Sequence, residues 1–366
     1  MSNFYIYNSA RERIGILQHE TSVQWLESYQ APGEAKIEAQ ATADNLAMLV
    51  EGNRVYNTDS ESVARIAHVD IVETEAGETI TARGQLTGQL LADRVVMATE
   101  IITNVEAGMY SLYSKNRRGL PLEIAAAEGY AETTDTEITW DSVLAGVTTL
   151  AEASGLGYKV IFDPETGVET YKVYRGVDRS NEDGPDYVGY FGQDVDNIRN
   201  ITVTTGSTNY KNVAVVAGAG EGSARTVRIV SLGNVSGEAR REMYVDARDL
   251  QRDYQVATPT GEVDEDGNPE YSYEKHTYTD AEYNALLDTR GREKLAEQLR
   301  DFEIVCDIAQ VNILYGEDYY LGDRLPIKLP EYGIYASARI SAVTMVYEAS
   351  GRTITATLSD FALKEV

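Results

Sequence analysis

The chain has 366 residues, 43% of them hydrophobic: enough for two or three packed units of roughly 100–200 residues each, and too apolar for wholesale disorder. Its 59 acidic residues against 32 basic ones give a formal charge of −27, a surface that repels phosphate and disfavours ordinary nucleic-acid binding. The single cysteine, Cys306, excludes an intramolecular disulfide, and no window approaches the ~20 apolar residues of a membrane-spanning helix.

The opening residues, Met1 to Tyr7, lack a basic region followed by an apolar run, so synthesis in the cytoplasm without a signal peptide and no membrane insertion are expected. The first hundred residues read as a small β unit. Phe4–Tyr7 and Arg13–Leu17 can pair across a polar turn. Val23–Tyr29 and Ala35–Ala39 flank the Pro32-Gly33 turn signal. Thr42–Glu51 reads as a short helix carrying Leu46, Leu49 and Val50, stopped by Gly52. A long hairpin follows, Val63–Glu73 and Thr79–Gln85, completing a compact barrel or roll.

The period then changes. Ile101, Val105, Met109 and Leu112 stand at helical spacing, ending before Arg117. A second helix shows the face Val143, Val147 and Leu150, with Thr139 or Asp141 as its cap and Gly155 as its end. Tyr158–Phe162 and Val168–Tyr174 form a hairpin behind it, making an α/β unit, and the polar run Asp178–Asp186 leaves as a loop. From Asn200 the pattern is β again: Ile201–Thr205, Lys211–Ala217 and Arg225–Ser231. Residues 259–272 read as an acidic hairpin tip. Thr279 and Glu282 form a capping box opening a helix with Tyr283, Leu287, Leu295 and Leu299 inward.

In the C-terminal stretch, Leu325, Ile327 and Leu329, then Ile354, Ala356 and Leu358, alternate with non-apolar residues, the period of half-buried strands. Pro326 and Pro330 place the first of these at a sheet edge, where a neighbouring subunit or a loop would meet it. Its expected partners are the strands near 201–216. The predicted division is a first β-barrel-like domain over 1–98, an α/β domain over 99–199, a second β-barrel-like domain from 200–231 and 301–366, and an inserted segment over 232–300. The fold class is α+β and β-rich.

Chemistry-bearing motifs fail one by one. Val213–Gly222 runs a strand into glycines, yet Ala224–Val230 continues as a strand where a dinucleotide fold needs a helix N-terminus. Asp264–Asn268 resembles a calcium loop in composition only, with Lys275 where a bidentate Glu belongs. His19, His68 and His276 are scattered, and Cys306 sits in an alternating strand, which reads as a buried inert thiol. No nucleophile elbow exists and no carboxylate pair stands out. The expectation is a non-enzymatic protein with no catalytic, cofactor-binding or metal-binding residues. Tyrosine is over-used, 25 against 5 Phe, which suits surfaces that are wet in the monomer and buried in an assembly.

Four segments together resemble the siphovirus tail-hub family, the tail-associated (Tal-like) proteins of the tail tip. They are Phe4–Ile16 with Tyr29–Glu34; Asn45–Leu49 with Gly52-Asn53; Gly155–Val160 with Tyr174–Ser180 and Asn209–Val213; and Tyr315–Tyr319 with Leu321–Arg324. The resemblance is to hubs related to contractile-injection baseplates, with two small β-barrels per subunit and α/β inserts, three subunits forming a ring of six barrels. It implies a structural homotrimer at the virion tail tip, docked on the distal tail protein and the tape-measure protein, with a receptor-binding or fibre protein as a further partner. It also implies a channel through which DNA passes without specific binding, a use for the −27 charge. The motif residues Gly176, Asp178, Arg179, Gly322, Asp323 and Arg324 are expected to be structural, Asp323 capping a turn. The chain ends at Val366 without a lysozyme, peptidase or fibre domain, so wall degradation is expected on a separate protein. The alternative is a carbohydrate- or receptor-binding module of a phage tail that uses the tyrosine surface.

Overall fold

A computed structural model describes residues 4–75, 77–263, 269–298 and 300–363. The fold is α+β and β-rich, and its centre is the strand Ile334–Glu348. This strand alternates buried and partly exposed residues along most of its length, as the period-of-two pattern requires. Its first half pairs with Arg324–Leu329 and its second half with Glu20–Ser28, while Gly351–Leu363 follows almost all of it on the other side. Irregularities at Ser337/Arg339 and Ile340/Ala342 mark the place where the strand leaves one partner for the other.

The N- and C-terminal β units are therefore one sheet of thirteen strands. In order, it runs from Ile198–Gly206 through Asp301–Ile308, Gly351–Leu363, Ile334–Glu348, Glu20–Ser28, Glu34–Gln40, Gly77–Leu86, Val63–Thr74, Arg54–Asn57 and Phe4–Tyr7 to Arg13–Ile16. Among the described residues no sheet closes into a barrel, and the two barrel-like units are parts of one continuous sheet. Strand Ile334–Glu348 serves both halves, so the ladder continues from one unit into the next instead of returning to its own first strand. One core unites them: Trp25, Ile37, Ile66, Ile340, Val343, Met345 and Ile354 are all buried. Each such side chain contributes about 1.5–3 kcal/mol of transfer free energy. The proline-bearing strand Arg324–Leu329 is covered on its far side by Phe191–Gly192 of the same chain, pairing in parallel.

A second core holds the α/β unit. Helices Val105–Asn116 and Val143–Ser154 pack on the sheet of Gly157–Phe162, Glu169–Tyr174 and Glu123–Ile124 through Met109, Leu112, Tyr113, Val147, Leu150, Tyr158 and Tyr171. Gly155 ends the second helix at φ +73, as expected. The cap is Ser142 rather than Thr139 or Asp141, its Oγ accepting from the Ala145 N–H at 3.0 Å. Ile101 lies in the strand Glu100–Asn104 ahead of the first helix, which Asn104 caps.

Val213–Ala217 does not join the C-terminal strands. It is the middle of a separate three-stranded sheet with Val227–Ser231 and Glu242–Asp246, under the helix Asp280–Ala296. Of the two strands expected to partner the C-terminal ones, Ile198–Gly206 does pair toward the C terminus, through Asp301–Ile308. Ala214 and Val216 face the helix, where Gly291 lets the backbone close onto Val216 and Val230. The capping box of Thr279 and Glu282 forms as expected. After Val213–Ala217 the chain passes through the single turn Gly222–Ala224 into strand Val227–Ser231, the strand–turn–strand order read from the sequence. The hairpin Asp253–Val263/Pro269–Thr277 pairs only with itself. Leu299 and the loop Asp264–Asn268 lie outside the described residues.

Candidate functional site

The three parts of the chain meet at Tyr29, at the end of strand Glu20–Ser28. Its backbone N–H donates to Ser341 O at 2.9 Å, and its carbonyl accepts from the Tyr158 N–H at 3.1 Å. Its hydroxyl donates to Gly155 O (3.1 Å) and accepts from the Gly176 N–H (3.2 Å). The ring is buried against Tyr174, edge to face at 5.2 Å, under the Arg339 guanidinium at 5.1 Å. A Cβ on Gly157 or Gly322 would overlap this ring, so the approach requires glycine at both positions. Burial pushes the phenol pKa up.

The six motif residues read from sequence come together beside Tyr29. Asp323, 2% exposed, is the hinge pin. Its Oδ1 accepts from the Val177 N–H at 2.7 Å, and its Oδ2 accepts from Arg179 Nε at 2.7 Å and from the Tyr320 N–H at 3.1 Å. Arg179 N–H donates to Arg324 O, and Arg324 N–H to Val177 O, so Asp178 and Arg324 form a short parallel bridge. Gly176 lies against the Gly322 carbonyl, where any Cβ would clash, and Gly322 holds φ +94. Asp178 caps its own turn at the Ser180 N–H (3.0 Å). Arg324 and Arg339 converge on Asp360. Three donors therefore converge on the Asp323 carboxylate.

A second tie lies at the opposite side of the α/β unit. Glu169, with a fully buried side chain, accepts from Arg54 Nε at 3.0 Å and from Arg11 Nε at 2.7 Å, both from the N-terminal β unit. Between the two ties opens a cleft of about 740 Å³, lined by Glu27, Ser60, Lys159, Tyr174, Tyr315 and Arg352. Burial pushes the Glu27 carboxyl up, against the Ser60 and Tyr315 hydroxyls that donate to it and the nearby Lys159. The Tyr174 and Tyr315 phenols are also raised by burial. Lys159, on the wall of this cleft, is paired with Glu61. Among the described residues no group of three or more His, Cys, Asp or Glu could hold a metal ion. Cys306 is buried and its thiol is pushed up to about 12, the inert state expected for it.

Sequence reading singled out neither Glu27, Arg339 nor Glu169, and it took Tyr29 only as part of a longer match. Each acts through partners more than a hundred positions away or across the sheet, which leaves no local signature.

A tail protein from Neisseria meningitidis MC58 superposes with a TM-score of 0.60 at 12% identity, covering 98% of this chain and 96% of that one. The 43 kDa tail protein of prophage MuSo2 from Shewanella oneidensis gives 0.57 at 11% identity, over 97% and 98%. The half-lidded Francisella PdpA–VgrG complex gives 0.50 at 10% identity, over all of this chain and 59% of that one. No curated protein matches the sequence. The chain belongs to the siphovirus ReqiPepy6 Gp37-like protein family, whose model matches residues 3–358. The family is one of siphovirus tail proteins, and the chain shares its fold with the tail proteins above.

Proposed function

We propose that the protein is the structural hub of the tail tip, a non-enzymatic homotrimer that links the distal tail ring to the tape-measure protein and surrounds the channel for DNA. The observation that carries this reading is that the whole chain, rather than one unit of it, follows the tail-protein fold. The two buried ties support it, because a hub must transmit load between its parts as one body. In this reading the open ends of the thirteen-stranded sheet face neighbouring subunits, and the charge of −27 lets the DNA polyanion slide without adhering. The motif residues Gly176, Asp178, Arg179, Gly322, Asp323 and Arg324 are proposed as the structural clasp of each subunit. Electron microscopy of assembled tails is the test. Three copies around an acidic channel beneath the distal ring are expected; a peripheral position on fibres, or a basic channel wall, would refute the proposal.

A further inference from the structure

One surface of the α/β unit combines exposed apolar side chains with basic charge that the chain itself leaves uncompensated. Trp140 is 74% exposed and Met97 58%, with Val95 beside them. The three are held together by backbone: Trp140 N–H donates to Val96 O, Val96 N–H to Asp141 O, and Val95 bridges Ser142. Trp140 sits at φ +55, a left-handed conformation that bulky residues seldom adopt, so the fold holds this ring outward at a cost. Around it stand Arg94, Arg117 and Arg118. Arg94 Nε donates to Arg117 O at 2.9 Å and Arg118 Nη2 to Val95 O at 3.0 Å, so their guanidiniums are fixed at the patch by backbone carbonyls. Among the described residues none of the three has a carboxylate within ion-pair distance, although Asp93 and Asp141 border the patch and the chain carries 59 acids.

A second surface has the opposite character. At the outer end of the hairpin Val63–Thr74/Gly77–Leu86, Ile71 is 58% and Val72 50% exposed. The two point to opposite faces of the strand; Glu73 and Glu78, paired across the hairpin, share the face of Ile71, with Glu75 at the turn, and among the described residues none of the three has a basic partner. The outward edge of strand Val63–Thr74 pairs with Arg54–Asn57 over Val63–Arg65 and bonds Gly52 and Asn53 at Ile66, so among the described residues its outer part keeps an open backbone edge. Within one chain no hydrogen bond or ion pair joins the two surfaces among the described residues.

We infer that these two surfaces meet between copies: the acidic, apolar hairpin end of one protomer seats on the tryptophan–arginine patch of the next. Opposite charge surrounds apolar centres on both sides, the arrangement of a hot spot with a polar rim. Two different patches make a head-to-tail contact, and a head-to-tail contact that closes forms a ring. A second copy fits better than DNA: the open strand edge matches a polypeptide, and a chain of charge −27 repels DNA.

The inference rests on the homotrimer reading and specifies its interface. The test measures oligomeric state by light scattering across protein concentration, for the full chain and four variants. Arg117→Glu with Arg118→Glu, and separately Glu73→Arg with Glu78→Arg, are expected to raise the concentration for half-assembly at least tenfold. Trp140→Ala, which alters no charge, is expected to do the same, and it decides the matter if a charge variant does not fold. Combining both charge reversals in one chain is expected to restore assembly, because like charges again face unlike ones. Trimers that persist in every single-surface variant would overturn the interface and leave the homotrimer standing. Loss without restoration in the combined, folded chain would overturn the pairing of the two surfaces. A wild-type chain that is monomeric at every concentration and on the tail would overturn both.

Discussion

Replacing Asp323 by Ala tests whether the clasp holds the three parts of the chain together. The substitution removes the acceptor from two backbone N–H groups, Val177 and Tyr320, and strands the Arg179 guanidinium in a site where its side chain is only 14% exposed. Breaking a buried pair on one side costs about 3–5 kcal/mol, and two orphaned N–H groups keep the value in the upper part of that range. Near 60 °C the unfolding entropy is about 2.1 cal/mol/K per residue, or roughly 0.77 kcal/mol/K for a chain of this length. If the chain unfolds as one unit, Asp323→Ala therefore lowers Tm by about 5–6.5 °C. Calorimetry supplies the midpoint, and hydrogen exchange supplies the location: protection should fall first at the Val177, Arg179, Tyr320 and Arg324 amides. A shift below about 1 °C with unchanged exchange at these amides would refute the clasp as a load-carrying element.

Three further outcomes follow from the buried groups. Glu169→Ala leaves Arg54 and Arg11 without their shared acceptor and is expected to cost about 3–5 kcal/mol by denaturant unfolding, read as a lower midpoint at unchanged slope. Glu27 has a folded pKa above its unfolded value, so its contribution is fully present below the unfolded pKa and is lost as pH rises through the folded pKa. Glu27→Gln should accordingly gain in Tm over the wild type at pH 8 and not at pH 4; an equal difference at both would show that Glu27 is not the titrating group. Cys306, with its thiol pushed up to about 12 inside the core, should resist a thiol reagent at pH 8 until the chain is unfolded by denaturant. Rapid native-state labelling would contradict its burial.

Much of the local structure is legible in the sequence because it is set within a few residues. Thr279 and Glu282 lie three positions apart and cap each other whatever the rest of the chain does. Gly155 ends its helix because only glycine enters the left-handed region without penalty. The neighbouring cap falls on Ser142 instead of Asp141 because two adjacent residues are both competent, and backbone geometry chooses between them. The alternation in Ile354, Ala356 and Leu358 reports one buried face, and the structure buries all three.

The chain by itself thus determined most element types, the helix end at Gly155 and the capping box at Thr279, the β-rich class and the two halves of the clasp, Gly176–Arg179 and Gly322–Arg324. Tertiary structure alone decided that these halves meet across 144 to 146 positions, with Tyr29 between them. It also decided that Val213–Ala217 goes under a helix, since a strand apolar on both faces satisfies the same pattern in either sheet. The choice between a closed barrel and a continuous sheet was made there too. Periodicity tells which face of a strand is buried; which strand lies beside it depends on the whole set of backbone hydrogen bonds, and strand Ile334–Glu348 uses its bulges to serve two partners at once.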